Sequence, residues 1–125
     1  LNRIVKIDYL PEILLGTLIR GARAVLFPSL SEGFGLPVLE AMAFGTATLT
    51  SREGALMEVA GDNAVLVDPY DIPEITAGIE TLDRDDELCS NLAKAGPIRA
   101  AHFDMSHYAN RLHLMYKEIM KNYSK

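Results

Sequence analysis

Two carboxylates and a glycine-rich turn stand close together in one stretch of this chain, residues 27–45, FPSLSEGFGLPVLEAMAFG. Glu32 leads into Gly33-Phe34-Gly35, Leu36-Pro37 follows, and Glu40 comes after seven intervening residues. Glycine leaves backbone N–H groups open to a ligand, because no Cβ stands in the way. Pro37 suits the first helical position, where its missing N–H is no loss and its φ is already helical. A helix start presents unpaired N–H donors and the positive end of a dipole, which together seat a phosphate. The pattern suits recognition of a phosphate with a diol beside it.

Glu40 is the residue that needs a reason. Val38, Leu39, Ala41, Met42, Ala43 and Phe44 around it are apolar, which reads as a buried helix. A carboxylate there is costly unless something hydrogen-bonds it, and a ribose diol could donate two hydrogen bonds. A carboxylate at the rim that steadies the helix N-terminus by roughly 0.3–1 kcal/mol is the other reading. Spacing alone leaves the two level.

Glu32 and Glu40, with GFGLP between them, resemble the paired-glutamate signature of retaining glycosyltransferases of the GT-B fold, family 4, the group 1 glycosyl transferases. The likeness extends upstream to ARAVLFPS (residues 22–29), which is similar to the preceding strand. It extends downstream through EAMAFG (residues 40–45) to Glu58-Val59-Ala60-Gly61-Asp62 and Val67-Asp68-Pro69. It implies that Glu40 binds the ribose hydroxyls of a nucleotide and that Glu32, the catalytic-site glutamate, contacts the transferred sugar. The backbone at Gly33, Phe34, Gly35 and Leu36 would then meet sugar hydroxyls and the diphosphate. The implied donor is a nucleotide diphosphate sugar, GDP-mannose or a UDP-hexose. The acceptor would be a saccharide or lipid-linked, with stereochemistry retained, in surface polysaccharide or glycolipid synthesis. No metal and no cofactor are implied. A non-catalytic module that binds nucleotides or sugar phosphates, or regulates a partner, is the alternative.

The departures from that family are as informative. Its complete enzymes have two Rossmann-like domains, so the resemblance implies a missing amino-terminal acceptor domain and an isolated chain that does not turn over. The Arg/Lys pair that neutralises the diphosphate in the family has no counterpart, and Arg3, Lys6, Arg20 and Arg23 do not lie in such a motif. Thr46-Ala47 and Met57 stand where family members often carry proline.

The elements that must position these residues follow from local pattern. Arg3 to Ile7 alternates as a short strand, and Pro11-Glu12 opens a helix that Gly21 stops. The apolar run from Ala24 to Phe27 is a strand covered on both faces. The organising helix closes at Gly45, and residues 46–50 form the next strand. Residues 51–55 are a polar loop, which the resemblance places near the donor sugar. Residues 56–60 make a helical turn and residues 64–67 a fourth strand. Helices are expected at residues 72–82 and 86–95, the latter broken by Gly96-Pro97, with residues 98–103 continuing helically. Ser106 is expected to cap a last helix striped by Tyr108, Leu112, Met115, Tyr116 and Ile119.

Strands alternating with helices define the fold class: α/β, a Rossmann-like parallel sheet with flanking helices, a partial GT-B carboxy-terminal domain in one unit over residues 1–125. In the family two strands separate the equivalents of residues 3–7 and 24–27. The expectation is therefore a shifted first strand, or a homo-oligomer formed through an open sheet edge.

Bulk properties exclude other classes. Of 125 residues, 49% are hydrophobic and 23% charged, which is ordinary for a globular domain. A net charge of −5 argues against non-specific nucleic-acid binding, which needs a basic face. The single Cys89 allows no internal disulfide. No apolar stretch is long enough for a transmembrane segment, so the expected location is cytoplasmic, with a full-length parent peripheral at the inner membrane face. Asp83-Arg84-Asp85 spells a DxD but falls between two helices, where it reads as a solvated turn. His102, His107 and His113 show no metal-ligand spacing with Cys89 or one another.

Overall fold

Apolar residues alternate along the middle strand, and that alternation builds the domain. The structure, a computed structural model, describes residues 4–123. Among them the order is α1 (Glu12–Gly21), β1 (Ala24–Phe27), α2 (Leu36–Ala43), β2 (Ala47–Ser51), α3 (Gly54–Ala60), β3 (Val65–Val67), α4 (Ile72–Arg84), α5 (Asp86–Ala101) and α6 (Met105–Tyr123). The three strands form a parallel sheet in the order β1-β2-β3. Ala24 pairs with Ala47 and Phe27 with Thr50 on one side of β2; Leu49 pairs with Val65 and Ser51 with Val67 on the other.

Each face of the sheet has its own core. Val38, Met42, Leu56, Val59 and Ala60 of α2 and α3 pack on one face, with Phe27 and Leu66 from the strands. Ala47, Leu49 and Val67 turn to the other face and meet Leu82 of α4 and Leu92 of α5. All five residues of β2 are buried, as a central parallel strand covered on both sides must be. Its polar side chains are satisfied: Thr46, just before the strand, donates to the Ile19 carbonyl at 2.9 Å, and Thr48 donates to the Thr46 carbonyl at 3.1 Å. The α/β parallel architecture expected from the sequence is the one observed.

Three expectations need correction. The strand at residues 3–7 does not form: Arg3 lies outside the described residues, and Ile4 to Ile7 are irregular, with Ile4 86% and Val5 81% exposed. β-Branched residues favour a strand only where a neighbouring strand completes the ladder, and none is adjacent here. The sheet therefore has three strands, and β1 is left as an edge.

The second correction concerns Gly96-Pro97, which does not break α5. A Cβ on Gly96 would lie 2.9 Å from the carbonyl oxygen and 3.1 Å from Cα of Met42. The glycine lets α5 press against the backbone of α2, and that packing carries the helix through the proline. Third, the cap of α6 is Asp104, not Ser106. Asp104 Oδ1 accepts from the His107 N–H at 2.8 Å, and Ser106 Oγ donates to the same atom at 2.8 Å.

The reading of the DxD as a turn holds. Asp83 and Arg84 end α4, while Asp85 caps α5 by accepting from the Leu88 N–H at 2.8 Å, so the DxD is a structural turn. Cys89 is half-buried and donates to the Leu82 carbonyl at 3.1 Å.

Candidate active site

The carboxyl ends of the parallel strands point at one rim, where ligands bind in open α/β sheets. Residues 28–35 leave β1 at that rim and feed α2. Gly35 is the N-cap residue of α2, with φ 94° and ψ 46°, a conformation glycine adopts without a steric penalty. A Cβ there would lie 2.5 Å from Leu56 Cδ2, so the buried leucine side chain would have to shift to admit one. Pro37 occupies the second helical position rather than the first, which costs the helix nothing, since that N–H also lacks an intrahelical partner.

No side chain caps α2. Among the described residues the backbone N–H groups of residues 33–36 have no acceptor, while Val38 and Leu39 already donate to the Gly35 carbonyl at 3.0 and 3.2 Å. Gly33, Phe34 and Leu36 are exposed. The result is a short run of free donors at the positive end of a helix, an electrostatic arrangement suited to an anion.

Glu40 departs from the sequence expectation in its burial. It is the fifth residue of α2, past the first turn, and it is exposed. The helix is buried on one side only, through Val38, Ala41 and Met42. The carboxylate is therefore not buried among apolar neighbours and does not sit in the turn where the dipole acts, while a role toward a ribose does not depend on either. It has no hydrogen bond or ion pair among the described residues. It borders a shallow depression of about 390 Å³ lined also by Leu39, Ala43, Pro97, Ala100, Phe103 and Asp104.

Phe103 links the two halves of the stretch. Phe34 meets it edge-on, ring centroids 5.8 Å apart at 78°, and Glu40 borders the depression that Phe103 lines. Arg99 lies over that ring, 5.1 Å from its centroid, and its Nε donates to the Val59 carbonyl at 3.0 Å. Nothing in the spacing of the sequence marks Phe103 as part of this site.

Glu32 is half-buried and accepts from Ser29 Oγ at 2.8 Å. The neighbouring rim loops are braced to each other. Arg52, which follows β2, pairs with Glu74, and Glu74 Oε2 accepts from the Asp68 N–H at 2.9 Å. Arg52 is thus engaged within the fold. Arg20 and Arg23 are engaged too: Arg20 lies 5.3 Å from the Phe44 ring centroid, and Arg23 pairs with Asp86 at 2.6 Å. Hydrogen bonding to Asp86 raises the Arg23 pKa further. No group of three or more His, Cys, Asp or Glu side chains among the described residues could hold a metal ion.

A parallel α/β domain whose one glycine-rich helix start opens at the strand ends, flanked by two glutamates, belongs to the Rossmann-like class. Residues 2–99 match the model of the family described as Glycosyl transferases group 1, and the chain belongs to that family. It is 37% identical over 97 residues to the O-antigen chain mannosyltransferase B of Escherichia coli, covering 78% of this chain and 26% of that one. It is 47% identical over 78 residues to the MMP alpha-(1->4)-mannosyltransferase of Mycolicibacterium hassiacum, covering 59% of this chain and 19% of the other. The solved structure of sucrose-phosphate synthase from Thermosynechococcus elongatus superposes with a TM-score of 0.82 at 26% identity, over 97% of this chain and 31% of that one. The fold is that of a partial GT-B carboxy-terminal domain. The chain spans about a quarter or less of the length of the two mannosyltransferases.

Proposed function

We propose that this chain is the donor-binding part of a retaining glycosyltransferase that takes a sugar from a nucleotide diphosphate sugar, GDP-mannose or a UDP-hexose. The acceptor is a saccharide or a lipid-linked glycan, in surface polysaccharide or glycolipid synthesis. The mannosyltransferase names among its relatives favour GDP-mannose. One observation carries the reading. Free N–H groups, one internally anchored carboxylate and one unpartnered carboxylate lie along a single rim stretch, residues 32–40.

In this reading the amides of Gly33, Phe34, Gly35 and Leu36 hold the diphosphate and hydroxyls of the sugar. As the glycosidic bond breaks, negative charge grows on the leaving nucleoside diphosphate, and donors fixed in advance at a helix start stabilise it without reorganising. Glu40 accepts two hydrogen bonds from the ribose. Its lack of an internal partner supports this role, because no existing bond has to break first. Glu32 contacts the transferred sugar. In the family the acceptor is held by the amino-terminal domain, and the Arg/Lys pair that neutralises the diphosphate lies in the first part of the donor domain; neither is matched in this sequence. The chain alone is therefore expected to bind donor without transferring sugar.

Titration of GDP-mannose and UDP-glucose into the purified chain, by calorimetry, tests the reading. Glu40→Gln keeps the size of the side chain and removes its charge. It should weaken nucleotide binding about tenfold or more, as expected for charge-assisted hydrogen bonds worth roughly 1.5–3 kcal/mol. The melting temperature should not change, because an exposed side chain without partners contributes little to folding. Equal affinity in wild type and variant would remove Glu40 from the site.

A further inference from the structure

Glu32 does not hang free in its loop. Ser29 Oγ donates to its Oε1 at 2.8 Å and lies 3.3 Å from the Ser31 carbonyl oxygen, a weaker second contact. The Ser29 carbonyl in turn accepts from Ser51 Oγ at 2.5 Å. Ser51 is the last residue of β2 and is fully buried. Beside it Thr50, also fully buried, donates from Oγ1 to the Phe27 carbonyl at 3.0 Å. Two hydroxyls from the central strand thus grip the backbone as it leaves β1, and the gripped residue holds the glutamate.

A buried hydroxyl needs a partner or costs stability, whereas alanine at position 51 would pack there without one. At position 51 the partner is the carbonyl of the residue that orients Glu32. The other carboxylate oxygen, Oε2, has no partner among the described residues and keeps its acceptor capacity.

We propose that Ser29 and Ser51 are positioning residues for sugar recognition. Through them the central strand commits Glu32 Oε1 to the protein and presents Oε2 to a hydroxyl of the transferred sugar. The proposal rests on the assignment of Glu32 to the sugar. Its physical content is preorganisation: a glutamate already held loses less rotamer freedom when the sugar arrives. Ser51, on the sheet, touches no ligand and still affects the sugar end of the site.

Two readouts on the 125-residue chain test this. The first needs no ligand: side-chain 13C relaxation of Glu32 in wild type, Ser29→Ala, Ser51→Ala and Ser29→Thr. Glu32 should be restrained in wild type and Ser29→Thr, and as mobile as exposed Glu53 in the two alanine variants. The second is the ratio of affinities for GDP-mannose and for GDP. That ratio should fall about fivefold in each alanine variant, with GDP binding itself unchanged, and Ser29→Thr should restore it. Thermal melts separate a misfolded Ser51→Ala from a positioning effect, and Ser29→Ala, in a loop, tests the idea if the buried variant does not fold. Mobile Glu32 in wild type, or equal losses for GDP and GDP-mannose, would overturn the proposal. If wild type binds neither ligand, the donor reading fails, and the relaxation data alone decide whether the hydroxyls hold Glu32.

Discussion

Glu40 neither pairs nor packs inside the domain, so folding places no demand on its carboxylate. The residue that does answer to folding is Gly35. Its left-handed backbone and the 2.5 Å approach of Leu56 both disfavour a side chain. Gly35→Ala should destabilise the chain by about 2–4 kcal/mol, from the backbone penalty and the clash together. Chemical denaturation measures this, and a loss below about 0.5 kcal/mol would mean that the loop relaxes freely. At this scale the sequence was legible where residue type has one meaning: a GxG before Leu-Pro marks a turn into a helix. It was misleading for Glu40, because an apolar sequence run does not say which side of a short helix faces the core. It was silent on Phe103 and Ser51, whose roles come from long-range packing and hydrogen bonding.

At the scale of elements, periodicity and punctuation located α1, β1, α2, β2 and β3 to within about two residues. The misses have separate causes: residues 4–7 lack a neighbouring strand, the α6 cap is a local choice of Asp104 over Ser106, and at Gly96-Pro97 tertiary contact overrode local preference. Gly96-Pro97 reads as a break, yet close packing of α5 on Met42 keeps the helix continuous. Gly96→Ala should force the two helices apart and cost about 1–3 kcal/mol, while the more exposed Gly21→Ala should not. Comparison of their urea midpoints checks this; equal midpoints would contradict the close approach.

The cap of α6 carries a pH dependence. The backbone N–H of His107, then its ring, then the Ser106 hydroxyl hold the Asp104 carboxyl well below its ordinary 3.8. A lowered folded-state pKa means that the capping contribution is complete above the unfolded value, near 4. It is lost as pH falls from there toward the folded value. Helical circular dichroism should therefore decline below about pH 4 in wild type. Asp104→Ala should start lower and lose this part of the acid transition. An unchanged acid limb in the variant would assign the transition to other carboxylates.

At the scale of the whole molecule, both faces of the sheet are covered but its β1 edge is not. Leu26 on that edge is 45% exposed, and Ile13, Leu14, Leu15 and Leu18 of α1 remain open to solvent. The stripe foreseen on α6 is a helical face as expected, but Tyr108, Met115, Tyr116 and Ile119 are exposed. Unpaired edges and apolar faces of this extent favour association. We expect the chain by itself to self-associate at micromolar concentrations in sedimentation velocity, and Leu26→Lys to reduce that association. A monomer at all concentrations would contradict this. No helix among the described residues is long and apolar enough to cross a membrane.

Chemical-shift mapping of the 15N-labelled chain with GDP-mannose tests the central claim most directly. The largest shifts should fall on the amides of Gly33, Phe34, Gly35 and Leu36 and extend to Glu40, and those at position 40 should be lost in Glu40→Gln. Shifts confined to Gly16, Thr17, Arg20 and Phe44, which line a separate groove along α1, or none at saturating ligand, would contradict it.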